Sequence, residues 1–464
     1  MATTSTRKAL GKDLIRLAGS RAVFTAPEDL YAFQSDATHY FARNIPDAVV
    51  LPEDTDAASA VLAYAYEHEI PVTPRGAGSG LSGGCTPVAG GIVLDTKRLN
   101  RILGINRGNM TARVQAGVVL EDFHRAVEKQ GLFYPPDPQS MSVCTLGGNV
   151  ATRAGGPRAV KYGTTGNYVL GVEAVLADGS VIQAGSDCVK QSVGYDLTHL
   201  FTGSEGTLGL VTRVSVRLLP KPTHRRTALV VCETPDQAAQ VVSGIIAAGA
   251  VPAMLEYVPQ AALSLMNSII RPPVAAQGEA YLLMELDGTE ARVAEEAEIL
   301  RSMALDLGAE EVRIVEDERE AATYWKARSR LYPMILTMAK KVISEDVTVP
   351  RDRIPEFVRA VAEISGRLGI LIGLGGHAGD GNMHPTILFT DLSPEMEQKA
   401  EAAIEDIVKK GLELGGTISG EHGIGLHKSR FLEWELGRAQ LTAMKRIKAA
   451  LDPKGIMNPG KLWT

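Results

Sequence analysis

Two of the nine histidines in this 464-residue chain flank a loop of turn-forming residues. His377 and His384 are separated by Ala-Gly-Asp-Gly-Asn-Met, with one apolar run before them and another after them. This pattern predicts two strands joined by a tight loop. Because residues that flank such a loop face each other across a hairpin, we expect the two imidazoles to converge on one point. Further along the chain, Glu421 and His422 lie between two glycines.

These four side chains are of types that bind metals or move protons. Neutral imidazole and carboxylate are good ligands for divalent transition metals, so His377, His384 and Glu421 form a two-histidine, one-carboxylate set with positions open for substrate. A histidine such as His422 can equally act as a general base. A metal site, a catalytic base and a purely structural polar turn therefore remain three open interpretations of these residues.

The bulk composition is that of an ordinary globular protein. Its 464 residues predict two or three domains, and 45% hydrophobic with 22% charged residues is typical of folded chains. With 48 basic and 54 acidic residues the net charge is −6 and no basic stripe is present, so we expect no nucleic-acid partner.

Cysteine usage and hydropathy bear on the compartment. The four cysteines are widely spaced without a Cys-x-x-Cys pair, which predicts reduced thiols and excludes an iron–sulfur centre built by this chain alone. The N-terminus lacks a signal pattern, and no apolar run reaches spanning length. We expect a cytoplasmic protein, with peripheral binding at the inner face of the membrane left open.

Glycine is concentrated in two patches, the first of which follows a predicted strand. The first is Pro74-Arg75-Gly76-Ala77-Gly78-Ser79-Gly80-Leu81-Ser82-Gly83-Gly84, and the second lies between residues 142 and 156. Glycine-dense loops let backbone amides approach a bound anion, and Arg75 adds a cation, although tight turns alone would also explain them. Neither patch matches the dinucleotide fingerprint or the P-loop, which disfavours an NAD-binding Rossmann domain and a nucleotide triphosphatase.

The pattern of predicted elements changes at Pro220-Lys221-Pro222-Thr223, the strongest candidate for a domain boundary. Two strand–helix–strand units follow, over residues 227–257 and 280–315, and they suggest a mixed domain with an antiparallel sheet.

Six motifs in order then resemble one flavoprotein superfamily. The first glycine patch, Leu146-Gly147-Gly148-Asn149 and Gly203-Ser204-Glu205-Gly206-Thr207-Leu208-Gly209 resemble the FAD-binding domain of the vanillyl-alcohol oxidase/PCMH superfamily. The two histidine motifs and Asn458-Pro459-Gly460-Lys461 resemble its branch of FAD-linked D-2-hydroxy acid dehydrogenases, which includes glycolate oxidase, D-lactate dehydrogenase and D-2-hydroxyglutarate dehydrogenase. The resemblance covers nearly the whole chain.

The resemblance implies an α+β fold in three stretches. A PCMH-type FAD-binding domain of two α+β subdomains is expected over residues 1–222, with an N-terminal helix. A substrate domain with an antiparallel sheet covered by helices is expected over 223–414. A helical C-terminal segment, 415–464, is expected to return to the flavin site.

The resemblance also implies which residues bind FAD. They are Arg75, Gly76, Ala77, Gly78, Ser79, Gly80, Leu81, Ser82, Pro138, Ser142, Thr145, Gly148, Gly155, Gly163, Glu205, Val211 and Asn458. Some superfamily members attach the flavin covalently through a histidine in the first loop. Because this loop contains no histidine, we expect non-covalent FAD.

For the histidine motifs, the resemblance implies a metal and a base. His377, His384 and Glu421 would bind zinc, with manganese as the alternative, and His422 would be the base. Arg328 matches the substrate arginine of the family, with Tyr332 beside it on a predicted helix. Without the resemblance, Arg328 reads as part of a solvated helix face, because Lys326 and Arg330 are equally charged neighbours.

Three departures from the hydroxyglutarate enzymes bear on the substrate. Tyr332 stands where those enzymes have a threonine, Thr386 stands where they have an asparagine, and Ser344 or Glu345 replaces their lysine. A small side chain, as in D-lactate or glycolate, therefore fits better than a dicarboxylate.

The sequence thus predicts an FAD-dependent, metal-assisted oxidation of a small D-2-hydroxy acid to the 2-oxo acid. The expected electron acceptor is not NAD but a quinone, a cytochrome, an electron-transfer flavoprotein or an iron–sulfur subunit. The alternatives are a D-2-hydroxyglutarate dehydrogenase, a zinc-dependent hydrolase and a catalytically idle subunit of a larger oxidase. A homodimer is expected because it is the commonest assembly of soluble proteins.

Overall fold

The computed structural model describes residues 4–38, 44–275 and 277–463. The chain divides into two compact units. The first consists of Met1–Ala154, Thr164–Lys221 and Glu421–Thr464. The second consists of Gly155–Gly163 and Pro222–Gly420. One boundary between the units therefore lies between Lys221 and Pro222, inside the stretch Pro220-Lys221-Pro222-Thr223.

The first unit begins with a four-stranded sheet whose strands are β1 (Val23–Phe24), β2 (Ala48–Val50), β3 (Val72–Arg75) and β4 (Ile92–Asp95). The strand order is β1-β2-β4-β3, and β2, β4 and β3 run parallel. All residues of β2 and β4 are buried, as expected for parallel strands covered on both faces. The first glycine patch begins where β3 ends. This places the patch at the carboxyl edge of a parallel strand, where ligands bind in open α/β sheets.

The first unit also contains a five-stranded sheet. Its strands are β5 (Ile102–Asn106), β6 (Thr111–Gln115), β8 (Val169–Val175), β9 (Val181–Gly185) and β10 (Leu210–Arg217). Its order is β5-β6-β10-β8-β9, and all pairings are antiparallel. An Asp-Gly turn, Asp178-Gly179, joins β8 to β9, and Gly179 has the positive φ, +87°, that favours glycine there. A short pair, β7 (Leu132–Phe133) with β11 (Leu219–Pro220), lies apart.

The helices of the first unit are α1 (Thr4–Ala18), α2 (Pro27–Leu30), α3 (Thr55–Glu67), α4 (Leu120–Glu128), α5 (Leu146–Thr152), α7 (Leu197–Phe201) and α14 (Leu432–Leu451). Asp54 caps α3 by accepting a hydrogen bond from Ala57 N at 2.8 Å. The C-terminal stretch of the chain joins the first sheet, because Val72 and Met457 form a parallel bridge.

The second unit is built on an eight-stranded sheet with strands β12 (His224–Cys232), β13 (Met254–Pro259), β14 (Ala280–Gly288), β15 (Glu311–Val315), β16 (Lys341–Ser344), β17 (Val347–Thr348), β18 (Leu371–His377) and β19 (Asn382–Phe389). The order is β15-β12-β14-β13-β18-β19-β16, with β17 also paired to β19. Every pairing in it is antiparallel, as predicted.

The helices of this unit are α6 (Ala159–Tyr162), α8 (Pro235–Ala247), α9 (Gln260–Met266), α10 (Glu290–Asp306), α11 (Glu318–Leu336), α12 (Ile354–Leu368) and α13 (Pro394–Glu413). α9 and α11 pack on the sheet, where Leu263, Tyr281 and Tyr324 share one buried cluster. Burial of these large apolar surfaces is the main force that holds helix to sheet.

The predicted α+β class is confirmed.

Among the described residues, none of the helices is both long enough and apolar enough to cross a bilayer.

Candidate active site

The two histidines of the loop lie on the β18–β19 hairpin of the second unit. His384 pairs with Gly375, and His377 pairs with Asn382, so the two histidines are diagonal neighbours rather than a directly opposed pair. Their ring centroids are 5.2 Å apart and the ring planes are nearly perpendicular. The predicted convergence of the imidazoles is therefore found, although through a diagonal contact of the ladder.

Glu256 connects one of these histidines to an arginine. This side chain comes from β13, which pairs with β18 through Tyr257 and Gly376, and it is fully buried. Glu256 Oε1 lies 2.6 Å from Nδ1 of His377, and Oε2 lies 2.5 Å from the guanidinium of Arg328. Burial alone would raise the pKa of Glu256, but Arg328 and then His377 outweigh it and hold the pKa below its usual value.

A second buried carboxylate, Asp346, lies beside His384. His384 Nδ1 is 3.2 Å from the carbonyl oxygen of Glu345 and 3.9 Å from Oδ1 of Asp346. Asp346 accepts hydrogen bonds from Asn382 Nδ2 and Ser419 Oγ, both at 2.7 Å. Each histidine thus has a polar group at Nδ1 that fixes the orientation of its ring.

The polar residues of the hairpin loop have separate tasks. Asp380 Oδ1 accepts a hydrogen bond from Asn382 N at 3.1 Å, which makes a side-chain turn in the loop. The Asn382 side chain does not shape the loop in this way, because it donates to Asp346 and to Thr348 Oγ1 instead.

Arg328 and Tyr332 lie one turn apart on α11 and share a face of that helix. The side chain of Arg328 is only 14% exposed, whereas Lys326 and Arg330 are exposed. The surface interpretation of Arg328 is therefore wrong. Burial raises the pKa of the half-buried Tyr332.

In the first unit, the two glycine patches are in contact. A Cβ on Gly76 would lie 2.5 Å from Thr145 Oγ1 and 3.5 Å from Gly148 Cα. Thr145 caps α5 by accepting from Gly148 N at 3.2 Å, so this part of the second patch is a helix rather than the loop that its glycines suggested. Only glycine at position 76 leaves room between the strand end and the capped helix.

Arg75 is buried below the first patch. Its NH1 group donates to the carbonyl oxygen of Ser35 at 2.8 Å, and its Nε is 4.0 Å from Asp95. Gly78 has φ +71°, and a Cβ there would collide with the guanidinium of Arg75. Arg75 thus holds the shape of the glycine loop, and its contact with a pyrophosphate stays a prediction.

Glu205 and Asn458 fasten the C-terminal stretch to these loops. Glu205 accepts backbone hydrogen bonds from Ile424 N at 2.7 Å and Gly425 N at 2.8 Å. Asn458 Nδ2 donates to the carbonyl oxygens of Glu205, at 2.7 Å, and of Gly84, at 2.9 Å. Burial raises the pKa of the Glu205 carboxyl, and the two amide donors offset part of that rise.

The stretch that carries His422 is held by the same loop. Ser82 Oγ donates to the carbonyl oxygen of His422 at 3.0 Å, and Ser82 O accepts from Leu426 N at 2.8 Å. Glu421 and His422 open the last stretch of the first unit, whereas His377 and His384 belong to the second.

The remaining residues implied to bind FAD fall in both units. Pro138 is buried and Ser142 is exposed in the loop before α5, and Val211 lies in β10. Gly155 and Gly163 bound a segment that clusters with the second unit.

Comparisons with known proteins define the class. Residues 46–185 match the FAD binding domain family, and residues 221–462 match the C-terminal domain of FAD linked oxidases. The chain belongs to the FAD-linked oxidases, and it is an FAD-linked oxidoreductase. The resemblance seen in the sequence is confirmed.

Individual relatives make the placement finer. The chain is 42% identical to glycolate oxidase subunit GlcD of Bacillus subtilis (strain 168) over 456 residues, which cover 98% of this chain and 97% of that subunit. It is 37% identical to D-lactate dehydrogenase of Archaeoglobus fulgidus over 438 residues, covering 94% of this chain and 96% of that protein.

A solved structure supports the fold. p-Cresol methylhydroxylase with bound substrate superposes with a TM-score of 0.83 at 18% identity, covering 99% of this chain and 97% of that one. The predicted PCMH-type architecture is confirmed.

Glu256 and Asp346 were missed by sequence reasoning. The signal for Glu256 was a single carboxylate inside the apolar run Met254-Leu255-Glu256-Tyr257-Val258, because a buried charge requires a partner. Asp346 follows Glu345 directly, and two adjacent carboxylates before an apolar strand carry the same signal.

Proposed function

We propose that this protein oxidises a small D-2-hydroxy acid, D-lactate or glycolate, to the 2-oxo acid with non-covalent FAD and a divalent metal. The observation that carries the proposal is a pair of neighbouring histidines, one of which shares the buried carboxylate of Glu256 with Arg328, in a chain of the FAD-linked oxidases. The relatives named as glycolate oxidase and D-lactate dehydrogenase support the same substrate class.

The residues at the glycine patches fit FAD. Glycine at position 76 lets the end of β3 pack directly against Thr145 and Gly148 at the start of α5, and the backbone amides of two glycine patches brought together in this way suit a pyrophosphate. Bound FAD supplies the two-electron acceptor. Around it, Ser82, Glu205 and Asn458 would fix the loops by the hydrogen bonds described above.

The donor set fits a divalent metal. Nδ1 of His377 contacts the Glu256 carboxylate, and Nδ1 of His384 contacts the carbonyl oxygen of Glu345. Metal-binding histidines usually have such a carboxylate or carbonyl partner at the ring nitrogen that does not bind the metal, and this partner fixes the orientation of the ring. Glu421, the proposed third ligand, follows Gly420, which packs against Thr348 and Asn382 in the second unit. Zinc or manganese bound to this set would lower the pKa of a substrate hydroxyl.

Arg328 is the proposed carboxylate anchor of the substrate. Its Nε is buried and makes no hydrogen bond to a described residue, so one edge of the guanidinium suits a carboxylate. His422 would take the hydroxyl proton as general base.

The surroundings favour a small substrate. Thr386 Oγ1 donates to His384 O at 3.2 Å and lies 3.4 Å from Ser344 Oγ, so these side chains are neutral and bonded locally. Lys341 contacts Glu397 at 3.0 Å. Thr386 and Ser344 are neutral, and the charge of Lys341 is paired with Glu397. These side chains therefore offer no unpaired cation to the distal carboxylate of D-2-hydroxyglutarate, which disfavours that substrate.

The experiment combines a spectrum with a substrate panel. The purified protein should show flavin bands at about 370 and 450 nm, and acid should release the flavin from the precipitate. Under anaerobic conditions D-lactate or glycolate should bleach these bands, and L-lactate should not. A colourless protein that does not take up FAD, or bleaching by dicarboxylates alone, would overturn the proposal.

Removal of the metal tests its part in the reaction. Chelation should slow turnover with a dye acceptor, and Zn²⁺ or Mn²⁺ should restore it. The physiological acceptor proposed is a quinone, a cytochrome, an electron-transfer flavoprotein or an iron–sulfur subunit. A zinc-dependent hydrolase would not explain why the chain has an FAD-binding domain.

A further inference from the structure

We propose that Glu256 is a positioning residue that couples the metal-binding histidine His377 to the substrate arginine Arg328. The inference rests on the proposed function, because Glu256 lies between His377 and Arg328, which that function assigns to the metal and to the substrate. One oxygen of Glu256 fixes the ring of His377 and the other fixes the plane of Arg328.

The position of Glu256 in the sheet is unusual for a charge. It lies in the middle of β13 and is fully buried, and its neighbours Leu255, Tyr257 and Val258 are buried as well. A carboxylate in such surroundings is unfavourable unless charged donors surround it. Its two partners come from different elements, β18 and α11, so Glu256 links a strand to a helix.

The histidine contact determines which ring nitrogen coordinates. A carboxylate 2.6 Å from Nδ1 accepts the Nδ1 proton, which leaves the Nε2 lone pair for a metal and makes it more basic. Replacement of the carboxylate by an amide would remove both the charge and the fixed tautomer.

The arginine contact determines which edge of the guanidinium faces substrate. Glu256 holds a terminal nitrogen of Arg328, whereas Nε of Arg328 is buried without a hydrogen bond to a described residue. A guanidinium has five donors in a fixed fork, so holding one terminal nitrogen fixes the direction of the rest. The same carboxylate therefore fixes the anchors for the hydroxyl side and the carboxylate side of the substrate.

The test compares two buried glutamates of one sheet. Glu285 in β14 is also buried and lies 3.9 Å from Arg225, but it contacts neither histidine nor Arg328. Glu256→Gln and Glu285→Gln are prepared as flavoproteins, and flavin content and thermal unfolding are recorded for both. Zn²⁺ affinity is measured by competition with a chromophoric chelator, and pyruvate binding by the change in flavin absorption.

We expect Glu256→Gln to weaken Zn²⁺ binding about 10- to 100-fold. It should also weaken pyruvate binding and raise KM for the substrate more than it lowers kcat, with flavin content unchanged. Glu285→Gln should leave the Zn²⁺ and pyruvate affinities at the wild-type values. If Glu256→Gln does not accumulate as a flavoprotein, Glu256→Asp, which keeps the charge but withdraws it by one methylene, gives the same comparison.

Two outcomes would overturn the inference. In the first, Glu256→Gln unfolds at a lower temperature but keeps Zn²⁺ and pyruvate affinity within twofold, which would make Glu256 structural only. In the second, wild-type protein binds no Zn²⁺, which removes the coupling. Bleaching of the flavin by D-lactate in the wild type separates that second outcome from failure of the proposed function.

Discussion

The carboxylate of Asp287, fully buried in β14, accepts a hydrogen bond from Nζ of Lys161 at 2.8 Å. Lys161 also donates to the carbonyl oxygen of Asp287 at 2.7 Å, and the Tyr162 hydroxyl lies 2.8 Å from both carboxylate oxygens. Burial, and then the charge of Asp287, raise the pKa of Tyr162 far above its usual value. Asp287 thus ties the segment Gly155–Gly163 to the rest of the second unit.

The first prediction is that this tie is a major part of the stability of the second unit. Asp287→Asn leaves the Lys161 ammonium without its buried counter-charge, so we expect the free energy of unfolding to fall by about 2–4 kcal/mol. Tyr162→Phe removes a hydrogen bond to the charged carboxylate of Asp287 and should cost about 1.5–3 kcal/mol. Urea unfolding measures both, and a loss below about 0.5 kcal/mol for Asp287→Asn, which is the range of ordinary surface changes, would contradict the prediction.

The second prediction concerns thiol reactivity. Cys188 is exposed, whereas burial raises the pKa of Cys85 and of Cys232 to about 12. At pH 8 the thiolate fraction of a group with that pKa is roughly 10⁻⁴. Cys144 is buried too, and burial raises the pKa of its thiol, so of the four cysteines only Cys188 should react quickly with a disulfide reagent.

Counting released chromophore checks this. One thiol should react fast in native protein and four should react in denaturant, since all four cysteines are free. Cys188→Ser should remove the fast phase. A fast phase that survives this substitution would show that another thiol is exposed.

The third prediction concerns flavin retention. Asn458 has φ +44°, a conformation that asparagine tolerates better than most residues, and its side chain joins Gly84 to Glu205. Asn458→Ala should therefore loosen both loops and speed FAD release about tenfold, as a loss of about 1.4 kcal/mol would do.

Released FAD is detected by its fluorescence. Asn109→Ala is the matched control in the same unit, because Asn109 Nδ2 donates to the carbonyl of Asp187 at an exposed site. Equal release rates for the two variants would show that Asn458 has no special part in holding FAD.

How much of this site the sequence predicts depends on the range of each contact. The hairpin and its two histidines follow from local alternation and turn residues, and β18 and β19 are found where the pattern indicates. Glu256 could not be assigned, because β13 meets β18 through a single residue pair and no local pattern specifies that meeting. The same holds for Gly155–Gly163, whose partner Asp287 is 126 residues from Lys161.

The buried charges needed the tertiary structure for a further reason. Arg328, Lys326 and Arg330 have the same local pattern on one helix, and only the packing of α11 shows that Arg328 alone points inward. The sequence does not predict helix α5, because two of its residues are glycines, which are poor helix formers. These glycines allow Gly76 to approach the start of the helix.

The fourth prediction concerns the proposed base. His422→Ala should slow anaerobic bleaching of the flavin by substrate roughly 10²- to 10⁴-fold, the usual contribution of a general base. FAD should stay bound, because the contact of Ser82 is with the backbone of His422 rather than its ring. His68→Gln, an exposed histidine of the same unit, is the control. Undiminished bleaching would assign the base elsewhere.

The fifth prediction separates Arg328 from Arg330, its neighbour on α11. Arg328→Lys keeps the charge but loses the planar fork, so it should no longer bind Glu256 and a substrate carboxylate at the same time. We expect KM for D-lactate to rise about 10- to 100-fold, by analogy with loss of one charge-assisted hydrogen bond of about 1.5–3 kcal/mol. Arg330→Lys changes an exposed neighbour on the same helix and should leave KM as it is. Since the two substitutions are chemically identical and two residues apart, equal effects would mean that the charge of the helix, rather than the geometry at Glu256, governs substrate binding.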